Sequence, residues 1–436
     1  MSTKDDLDLG STRLLDTKGS KTALLIGVYI NSKDKDICFE HLDELENLAS
    51  TYGLESAGKM GVHIRKIESS TYLGSGKVQE IAELVDEKGI DIVIFDINIA
   101  PHQQRNLEKE IKKTIIDRTE LILGVFATHA KSKEARLQVK LAQFKYELPR
   151  LKRMWTHLSR QRTGGKSGGY LKGAGEKQIE IDRQTLNKRI SDLQKSIDQI
   201  KKQRALQRKQ RKKTDIPSFA IVGYTNAGKS TLMNALTDAN VLVEDKLFAT
   251  LDTTTRKYAL PNRQQILLTD TVGFIRKLPH SLIAAFKSTL EETTESDILI
   301  HLIDVSQKGA KDMAEASLEV IEELKADEKP MITCLNKVDE IKDPSLLTYF
   351  KLKYSKTIEI SALKKQGFED LIEKMMEEIS SLRRVVKLKI PQSYYKLVSE
   401  IIKEGRVISI DYQENDILIE AEVPKMLYKK LSMFEN

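Results

Sequence analysis

A glycine-rich stretch near the middle of the chain, residues 219–231 with the sequence FAIVGYTNAGKST, has the residue types that bind a nucleotide phosphate. Gly223, Gly228, Lys229 and Ser230 fit the spacing G-x-x-x-x-G-K-[ST]. Glycines let the backbone curl around an anion, and the helix that follows adds the positive end of its dipole. The lysine would reach the β- and γ-phosphates, and the serine hydroxyl would ligate Mg²⁺. A chance glycine turn is the other interpretation, but strand, loop and helix occur in the order that the motif requires.

A second motif, Asp270-Thr271-Val272-Gly273, ends the next strongly apolar run that we interpret as a strand. An aspartate at a strand end can hold Mg²⁺ through water, and a glycine N–H beside it can contact a γ-phosphate. The pattern D-x-x-G is weak evidence by itself, and it gains weight from following the first motif.

The base that the nucleotide carries is indicated by Asn336-Lys337-Val338-Asp339, which follows an apolar run. The Asp339 carboxylate only accepts hydrogen bonds, and guanine offers it N1–H and the 2-amino group side by side, whereas adenine has neither donor. A polar site of this kind rejects the wrong base because the carboxylate would be left unpaired. Ser361-Ala362-Leu363 ends a further short strand and could support the base with main-chain N–H groups. Together the motifs predict a GTP-binding domain.

Composition places these motifs in a large chain with an uneven charge. The 436 residues are enough for several domains, and 40% of them are hydrophobic. Residues 131–213 contain 25 lysines and arginines against 7 aspartates and glutamates, although the net charge of the whole chain is only +7. The excess predicts a local surface for a polyanion. Two cysteines without metal spacing, and neither an export signal nor an apolar run of membrane length, favour a cytoplasmic protein that does not enter membranes.

The N-terminal part alternates between strand-like and helix-like patterns. After a polar segment, residues 1–20, that we expect to be disordered, one predicted strand covers Val62–Ile67. The alternation predicts a small parallel α/β domain over residues 21–130. Its Gly74-Ser75-Gly76-Lys77 could bind an anion, but an ordinary helix start is favoured, and Gln103–Asn106 is interpreted as a solvated helix face.

Two heptad seams follow, and they predict a helical hairpin over residues 131–214. Apolar residues step by four and three from Leu137 to Leu158, and again from Leu186 to Ile200. The stretch Thr163–Gly175, dense in glycine, separates the seams, so we expect a flexible loop at the tip of two antiparallel helices.

The predicted hairpin also carries most of the positive charge. Structured RNA is recognised by shape, phosphate contact and stacking, which suits a basic hairpin whose tip carries an aromatic ring. A solvated coiled-coil surface is the other interpretation, but such surfaces usually mix charges of both signs. The candidate RNA-binding residues are Arg160, Arg162, Lys166, Tyr170, Lys172 and Lys177.

The GTP-binding domain is predicted over residues 215–382, and a small α+β domain with the order β-α-β-β-α over residues 383–436. Between the first two nucleotide motifs lies a run with four threonines, from Thr250 to Thr255. GTPases need a threonine here to complete the Mg²⁺ site and to sense the γ-phosphate, and the residues alone do not say which threonine it is. The fold class is therefore α/β, with a P-loop GTPase domain preceded by a parallel α/β domain and a helical hairpin.

With these motifs in hand, nearly the whole chain resembles the HflX family of ribosome-associated GTPases. The resemblance rests on stretches that include TYLGSGK at residues 71–77, QQRNLEKE at 103–110, HLSRQRTGG at 157–165, GAGEKQIEIDR at 173–183 and LFATLDTTTR at 247–256. Departures from the family pattern are Thr253, where proline is common, and Lys172-Gly173-Ala174-Gly175, where the family has Arg-Gly-Pro-Gly.

The resemblance implies a GTP hydrolase that binds the large ribosomal subunit and its RNA through the hairpin loop. It also implies splitting or rescue of stalled or idle ribosomes under stress, with hydrolysis driving release. We expect a monomer that uses Mg²⁺. The resemblance selects Thr250 as the switch ligand of Mg²⁺ and residues 248–252 as nucleotide contacts. The expected GTP-binding residues are Gly223, Tyr224, Thr225, Asn226, Ala227, Gly228, Lys229, Ser230, Phe248, Ala249, Thr250, Leu251, Asp252, Asp270, Thr271, Val272, Gly273, Asn336, Lys337, Val338, Asp339, Ser361, Ala362 and Leu363.

The catalytic step follows from the same motifs. Lys229, Thr250 and Gly273 are the expected catalytic residues, and Ser230, Thr250 and, through water, Asp270 the expected metal ligands. Many GTPases orient the attacking water with a glutamine after D-x-x-G, whereas this chain has Phe274, so we expect slow unaided hydrolysis that the ribosome stimulates. Asn226 resembles the P-loop asparagine of K⁺-stimulated GTPases.

Two competing functions stay open at this point. A GTPase that helps to assemble the large subunit would accumulate on precursor particles. A nucleotide-gated regulatory switch would use the basic hairpin to bind an acidic protein or a membrane surface, although the hairpin lacks the apolar face of interfacial helices.

Overall fold

The structure, a computed structural model, describes residues 21–151, 171–212, 216–237, 247–248, 250–279, 282, 290–413 and 415–435. Chain contacts divide the described residues into two compact units. The N-terminal unit contains those of residues 1–201 together with those of 244–252 and 275–289. The GTPase unit contains those of 202–243, 253–274 and 290–436. Two short segments of the nucleotide-binding region therefore group with the N-terminal unit.

The N-terminal unit contains a parallel four-stranded sheet with the strand order β2-β1-β3-β4. Its elements are β1 (Lys21–Tyr29), α1 (Lys35–Tyr52), β2 (Leu54–His63), α2 (Ser75–Glu87), β3 (Ile92–Phe95), α3 (Pro101–Ile111), β4 (Thr114–Asp117) and α4 (Arg118–His129). The predicted strand Val62–Ile67 was wrong in position, because the strand ends at His63. Its first half is rich in small and polar residues and pairs with β1 along its whole length, so pairing compensates for a weak apolar pattern.

The strand order of this sheet changes direction between β1 and β3. The chain leaves β1 for β2 on one side and returns to β3 on the other, so the sheet has a topological switch point between β1 and β3. Ligands of open parallel sheets bind outside the carboxyl ends of the strands at such a point. Asp96 directly follows β3, and Asp117 ends β4, so acidic groups lie at this edge.

The two helices of the middle region are α5 (Lys133–Glu147) and α6 (Leu171–Lys212). Leu137 and Leu141 of α5 pack with Ile197 of α6, and all three are buried. Because α6 begins at Leu171, the prediction of a glycine loop was wrong for Leu171–Gly175. Each glycine disfavours a helix by about 1 kcal/mol, which a long cooperative helix can absorb. The predicted disordered segment 1–20 and the rest of the predicted loop lie outside the described residues.

The GTPase unit is built on a six-stranded sheet with the order β10-β9-β8-β5-β7-β6, in which only the β6–β7 pair is antiparallel. The strands are β5 (Ser218–Gly223), β6 (Thr254–Ala259), β7 (Gln265–Asp270), β8 (Ile298–Asp304), β9 (Met331–Asn336) and β10 (Thr357–Glu359). The helices are α7 (Lys229–Thr237), α8 (Ala310–Glu323), α9 (Ser345–Lys353) and α10 (Phe368–Leu382). Every residue of the central strand β8 is buried, which agrees with its continuous apolar sequence.

The chain ends in a three-stranded antiparallel sheet with the order β11-β13-β12. Its elements are β11 (Arg383–Pro391), α11 (Tyr395–Glu404), β12 (Arg406–Tyr412), β13 (Asp416–Pro424) and α12 (Lys425–Leu431). The predicted fold class is confirmed, with its order β-α-β-β-α in this last part. In the part of the chain that the structure describes, no helix is both long and apolar enough to cross a membrane.

Candidate nucleotide site

The phosphate-binding loop joins β5 to α7, and two of its residues must be glycine. Gly223 has a φ of +147° and Gly228 a φ of +94°, which side chains rarely tolerate. A Cβ on Gly223 would overlap the carbonyl oxygen of Leu302 in the neighbouring strand β8. On Gly228 it would overlap the Asn336 amide. Close backbone packing against β8 and β9 therefore fixes the shape of this loop.

Lys229 is buried inside the loop that precedes it. Its Nζ donates to the carbonyl oxygens of Tyr224 at 2.6 Å and Gly223 at 3.2 Å. Burial lowers the pKa of this lysine from 10.5 to about 8, and Asp270 opposes that shift. A bound phosphate would place negative charge next to this buried ammonium group, so the site favours an anionic ligand.

A set of oxygen ligands suited to Mg²⁺ lies at the start of α7. The Ser230 hydroxyl donates to the Asp270 carboxylate over 2.6 Å, and Asp270 is fully buried at the end of β7. A hydroxyl and a carboxylate are hard oxygen donors, and Mg²⁺ is usually held by one or two protein groups together with substrate phosphates and water. The donor set fits the metal, and no larger cluster of metal-binding side chains occurs among the described residues.

The D-x-x-G loop lies directly against the phosphate loop. Phe274 donates its N–H to Gly223 O at 3.0 Å and accepts from Thr225 N at 2.8 Å. A Cβ on Gly273 would come within 2.9 Å of Lys229 Nζ and 2.8 Å of Thr225 Cα. Because residue 273 has no side chain, its backbone can lie close enough to the phosphate loop for its N–H to contact a γ-phosphate.

Asn336 connects the base-recognition motif to the phosphate loop. Its Nδ2 donates to Ala227 O at 2.8 Å, and its Oδ1 accepts from Ala362 N at 2.9 Å. One buried side chain therefore ties together the ends of β5, β9 and β10. Carboxyl ends of parallel strands meet at one edge of a sheet, which explains why motifs far apart in sequence converge here.

Asp339 follows in a short 3-10 helix, Val338–Glu340. A hydrogen bond from Ser361 holds the pKa of its carboxyl below the usual value, and Lys364 Nζ lies 3.2 Å away. The group is therefore an ionised acceptor at neutral pH, as recognition of a guanine edge requires. Lys337 pairs with Asp304 at 2.8 Å, and Leu363 is 75% exposed.

Comparisons with known proteins agree with this geometry. Family models match residues 39–127 (GTP-binding GTPase N-terminal), 129–211 (GTP-binding GTPase Middle Region) and 218–337 (50S ribosome-binding GTPase). The chain is 46% identical over 413 residues to the GTPase HflX of Chlamydia pneumoniae, covering 94% of this chain and 88% of that protein. It is 38% identical over 413 residues to the GTPase HflX of Escherichia coli, covering 94% and 95%.

The chain belongs to the HflX family of GTPases. The family assignment confirms the predicted resemblance, and with it GTP binding and GTP hydrolysis. Among solved structures, a GTP-binding protein from the archaeon Sulfolobus solfataricus in complex with GDP is 29% identical, covering 83% of this chain and 99% of that one. The TM-score of 0.43 is too low for that structure to bear on the arrangement of this GTPase.

The structure brings most of the predicted nucleotide contacts into the GTPase unit, except for those of one segment. Residues 223–230, 270–273, 336–339 and 361–363 lie at the carboxyl edge of its sheet, whereas Phe248, Thr250, Leu251 and Asp252 group with the N-terminal unit. Phe248 and Leu251 are buried, and the Asp252 carboxylate bonds to Lys131 and Ser132. Contacts within the N-terminal unit, with Phe126 for Phe248 and with Lys131 and Ser132 for Asp252, thus engage two of the side chains that were expected to contact the nucleotide.

The remaining predicted residues lie outside the described residues or in a part of α6 whose backbone alone is described. Ala249 and the RNA-binding candidates Arg160, Arg162, Lys166 and Tyr170 lie outside the described residues. Lys172 and Lys177 fall within α6, whose backbone alone is described there.

Sequence reasoning missed a charge cluster at the switch point of the N-terminal sheet. The cluster consists of Glu44, Asp96, Arg118, Arg276 and Lys277. Arg118 donates to Glu44, and to Asp96 at 2.6 Å. Arg276 donates to Glu44 at 2.7 Å, and Lys277 to Asp96 at 2.6 Å. The residues that directly follow the D-x-x-G loop thus occupy the edge where such sheets bind ligands.

The prediction of a solvated face at Gln103–Asn106 was wrong. Gln103 and Gln104 are buried, and Gln104 Nε2 donates to Ile115 O at 2.6 Å and to Glu120 at 3.2 Å. Arg150 donates to Gln104 at 3.3 Å, so the end of the first hairpin helix is bonded to the N-terminal sheet domain. Polar residues that satisfy buried backbone groups carry no distinguishing pattern in a sequence, because the same types occur on solvated helices.

Proposed function

We propose that this GTPase binds the large ribosomal subunit through its basic hairpin. Binding splits or rescues stalled or idle ribosomes under stress, and GTP hydrolysis releases the protein. The observation that supports this proposal is that the chain has both a GTP site and a strongly basic pair of helices, α5 and α6. These helices pack through Leu137, Leu141 and Ile197. Net positive charge on a helical hairpin suits phosphate contact, and a ribosomal target implies work in the cytoplasm.

Each nucleotide motif has an assigned role in this proposal. Lys229 neutralises charge on the β- and γ-phosphates, which is the main catalytic requirement in phosphoryl transfer. Ser230, Thr250 and Asp270 would hold Mg²⁺, which would supply further neutralisation of that charge when bound. The Gly273 N–H contacts the γ-phosphate. Asn336 fixes the loops, and Asp339 recognises guanine.

Orientation of the attacking water is the step that the chain is expected to perform poorly without the ribosome. Phe274 has no polar side-chain atom, and its backbone N–H and C=O are bonded to the phosphate loop. We therefore expect slow unaided hydrolysis and stimulation when the large subunit completes the site. Asn226 makes K⁺ a candidate second ion, and hydrolysis measured in K⁺ and Na⁺ buffers tests that role.

Sedimentation of whole ribosomes with the protein tests the proposal. With GTP or a non-hydrolysable analogue we expect subunits to separate and the protein to travel with the large subunit, whereas GDP gives neither effect. Splitting with the analogue would make hydrolysis the release step. Whole ribosomes that stay intact with every nucleotide would contradict the proposal.

A charge-reversed hairpin makes the same experiment specific. Arg160→Glu with Arg162→Glu should abolish association, while Lys257→Glu with Arg263→Glu, two exposed positions of the GTPase unit, changes the net charge equally and should not. Accumulation on precursor particles alone would favour the assembly function. Association that survives removal of RNA would favour an acidic protein or membrane partner.

A further inference from the structure

The first hairpin helix, α5, loses its apolar packing at its C-terminal end. Buried side chains occur as far as Phe144, whereas every side chain of residues 145–151 is at least partly exposed. A 3-10 turn, Leu148–Arg150, interrupts the α-helix here, and Leu151 has helical backbone angles again. Pro149, inside this turn, has no N–H to donate. A 3-10 stretch within a helix often marks a hinge, so contacts other than apolar burial must fix the direction of the chain at this turn.

Arg150 supplies such contacts. Its guanidinium group donates to Ile99 O at 2.9 Å, Tyr146 O at 3.2 Å, Gln104 Oε1 at 3.3 Å and Asp117 Oδ2 at 3.3 Å. The group also lies over the Tyr146 ring, 3.7 Å from the ring centroid. Ile99 follows β3, Asp117 ends β4 and Gln104 belongs to α3, so one side chain ties the turn to three parts of the N-terminal sheet domain. We call Arg150 and these four residues the Arg150 anchor.

The Arg150 anchor contains a buried carboxylate. Asp117 is fully buried, and its Oδ1 accepts from Glu120 N at 2.8 Å while its Oδ2 accepts from Ile99 N at 3.3 Å. Burial raises the pKa of the Asp117 carboxyl, and the charge of Arg150 opposes that shift. A buried carboxylate is costly without a cation and hydrogen bonds, so Asp117 favours the position of Arg150 that the structure shows.

Arg150 has little capacity left to bind a polyanion. A guanidinium group has five N–H donors, and this one makes four hydrogen bonds with an exposed side-chain fraction of 13%. Lys133 and Arg136, on the same helix, are exposed. A lysine could keep the charge of residue 150, but its ammonium group lacks the planar fork that reaches several acceptors at once. What Arg150 contributes is therefore geometry more than charge.

We propose that Arg150 is a positioning residue, which fixes the direction of the first hairpin helix against the N-terminal sheet domain. It is not one of the cations of the hairpin that contact a polyanion. The fixed direction rests only on contacts within the N-terminal unit. Its consequence for ribosome binding rests on the proposed function.

A distance measurement in the full chain tests the fixed direction without a ribosome. Spin labels on Lys109→Cys in α3 and Gln184→Cys in α6, two exposed positions, report the distance from the sheet domain to the hairpin. The native cysteines, Cys38 and Cys334, are buried and do not compete for the label. Arg150→Lys should broaden or shift the distance distribution by about 5 Å, the rise of one helical turn.

Arg136→Lys is the matched control for this measurement. Arg136 lies on the same helix and donates from Nε to Ala130 O at 3.2 Å, but its side chain is exposed. The same change there should leave the distribution unaltered. Recording both variants well below their unfolding temperatures separates a change of direction from a loss of stability. A distribution that stays unaltered in Arg150→Lys overturns the proposal.

Sedimentation with the large subunit and a non-hydrolysable GTP analogue tests the consequence for binding. Arg150→Lys and Arg150→Gln should weaken association alike, by about tenfold or more, and keep its salt dependence. If Arg150 instead contacted a phosphate, the lysine variant would bind almost normally and the glutamine variant would lower the salt slope by about one. That result also overturns the proposal. Failure of the unaltered protein to bind the subunit would contradict the proposed function and leave the distance result standing.

Discussion

The nucleotide site and the charge cluster of the N-terminal unit are both built mainly from buried charged groups, but they differ in how far apart in sequence the paired groups lie. Lys229 bonds to carbonyl groups five and six residues away. In the charge cluster, Arg276 reaches Glu44 across 232 residues, and Lys277 reaches Asp96 across 181. The Lys229 contacts are therefore a property of one loop, whereas the charge cluster exists only when the N-terminal sheet and residues 276–277 have come together.

The two sites should therefore respond differently to substitution. A short loop keeps its backbone when one side chain is lost, so changes there affect ligand binding more than folding. A long-range cluster holds three cations with two carboxylates, so the loss of one carboxylate leaves buried charge without compensation. His41 adds no charge to the cluster at neutral pH, because burial and the neighbouring Arg276 and Lys277 lower its pKa to about 4.

The largest effect is expected from the charge cluster. Glu44→Gln leaves Arg118 and Arg276 against a neutral amide and should lower the free energy of unfolding by about 3–5 kcal/mol. Urea unfolding measures it. Glu377→Gln, at an exposed pair with Lys374, is the matched control and should change stability by less than about 1 kcal/mol. Similar small losses in both variants would show that the cluster contributes no special stability.

The phosphate loop should lose function before stability. In Gly223→Ala the new Cβ overlaps Leu302 O, so the loop must shift, and we expect nucleotide affinity to fall on the order of 10²-fold or more. Titration with a fluorescent GDP gives the affinity, and thermal unfolding monitors the fold. Gly76→Ala is the control, because a Cβ there meets nothing within 4 Å. Near-normal affinity in Gly223→Ala would contradict the packing argument.

A smaller and more selective effect is expected at the base. Asp339→Asn replaces an acceptor by a group that also donates, and should weaken GTP binding about 10- to 100-fold. The same variant should improve binding of xanthosine triphosphate, whose 2-carbonyl can accept from the new amide. Competition between the two nucleotides measures the switch. Equal losses for both would mean that Asp339 supports the loop rather than reading the base.

The smallest effect is a pH dependence that belongs to the nucleotide site alone. Lys229 has a pKa of about 8, below its usual value, and nearby phosphates favour the protonated form. Binding therefore takes up a proton above pH 8, so GDP affinity should be constant below that pH and fall by up to tenfold per pH unit above it. Lys229→Met should bind more weakly, with no such slope. An equal slope in both proteins would assign it to another group.

Much of the GTPase unit could be predicted because each of its nucleotide-binding motifs consists of residues that are adjacent in sequence. The phosphate loop, D-x-x-G and the Asn336–Asp339 motif each follow an apolar strand, and parallel strands bring their carboxyl ends together. Spacing also predicted the packing of Leu137 and Leu141 with Ile197 in the described part of the hairpin seams. Val62–Ile67 and Gln103–Asn106 were misread, because strand pairing and the satisfaction of buried polar groups involve partners that no local pattern specifies.

The sequence by itself determined which nucleotide is bound, since the identity and spacing of a few glycines, a lysine and an aspartate set that chemistry. Only the tertiary structure decided where the flanking segments go. Arg276 and Lys277 carried no prediction from the sequence, and Asp252 was expected to contact the nucleotide. A buried charge or N–H group is unfavourable unless it is paired. The groups that pair with these residues come from distant parts of the chain, so only the folded structure specifies them.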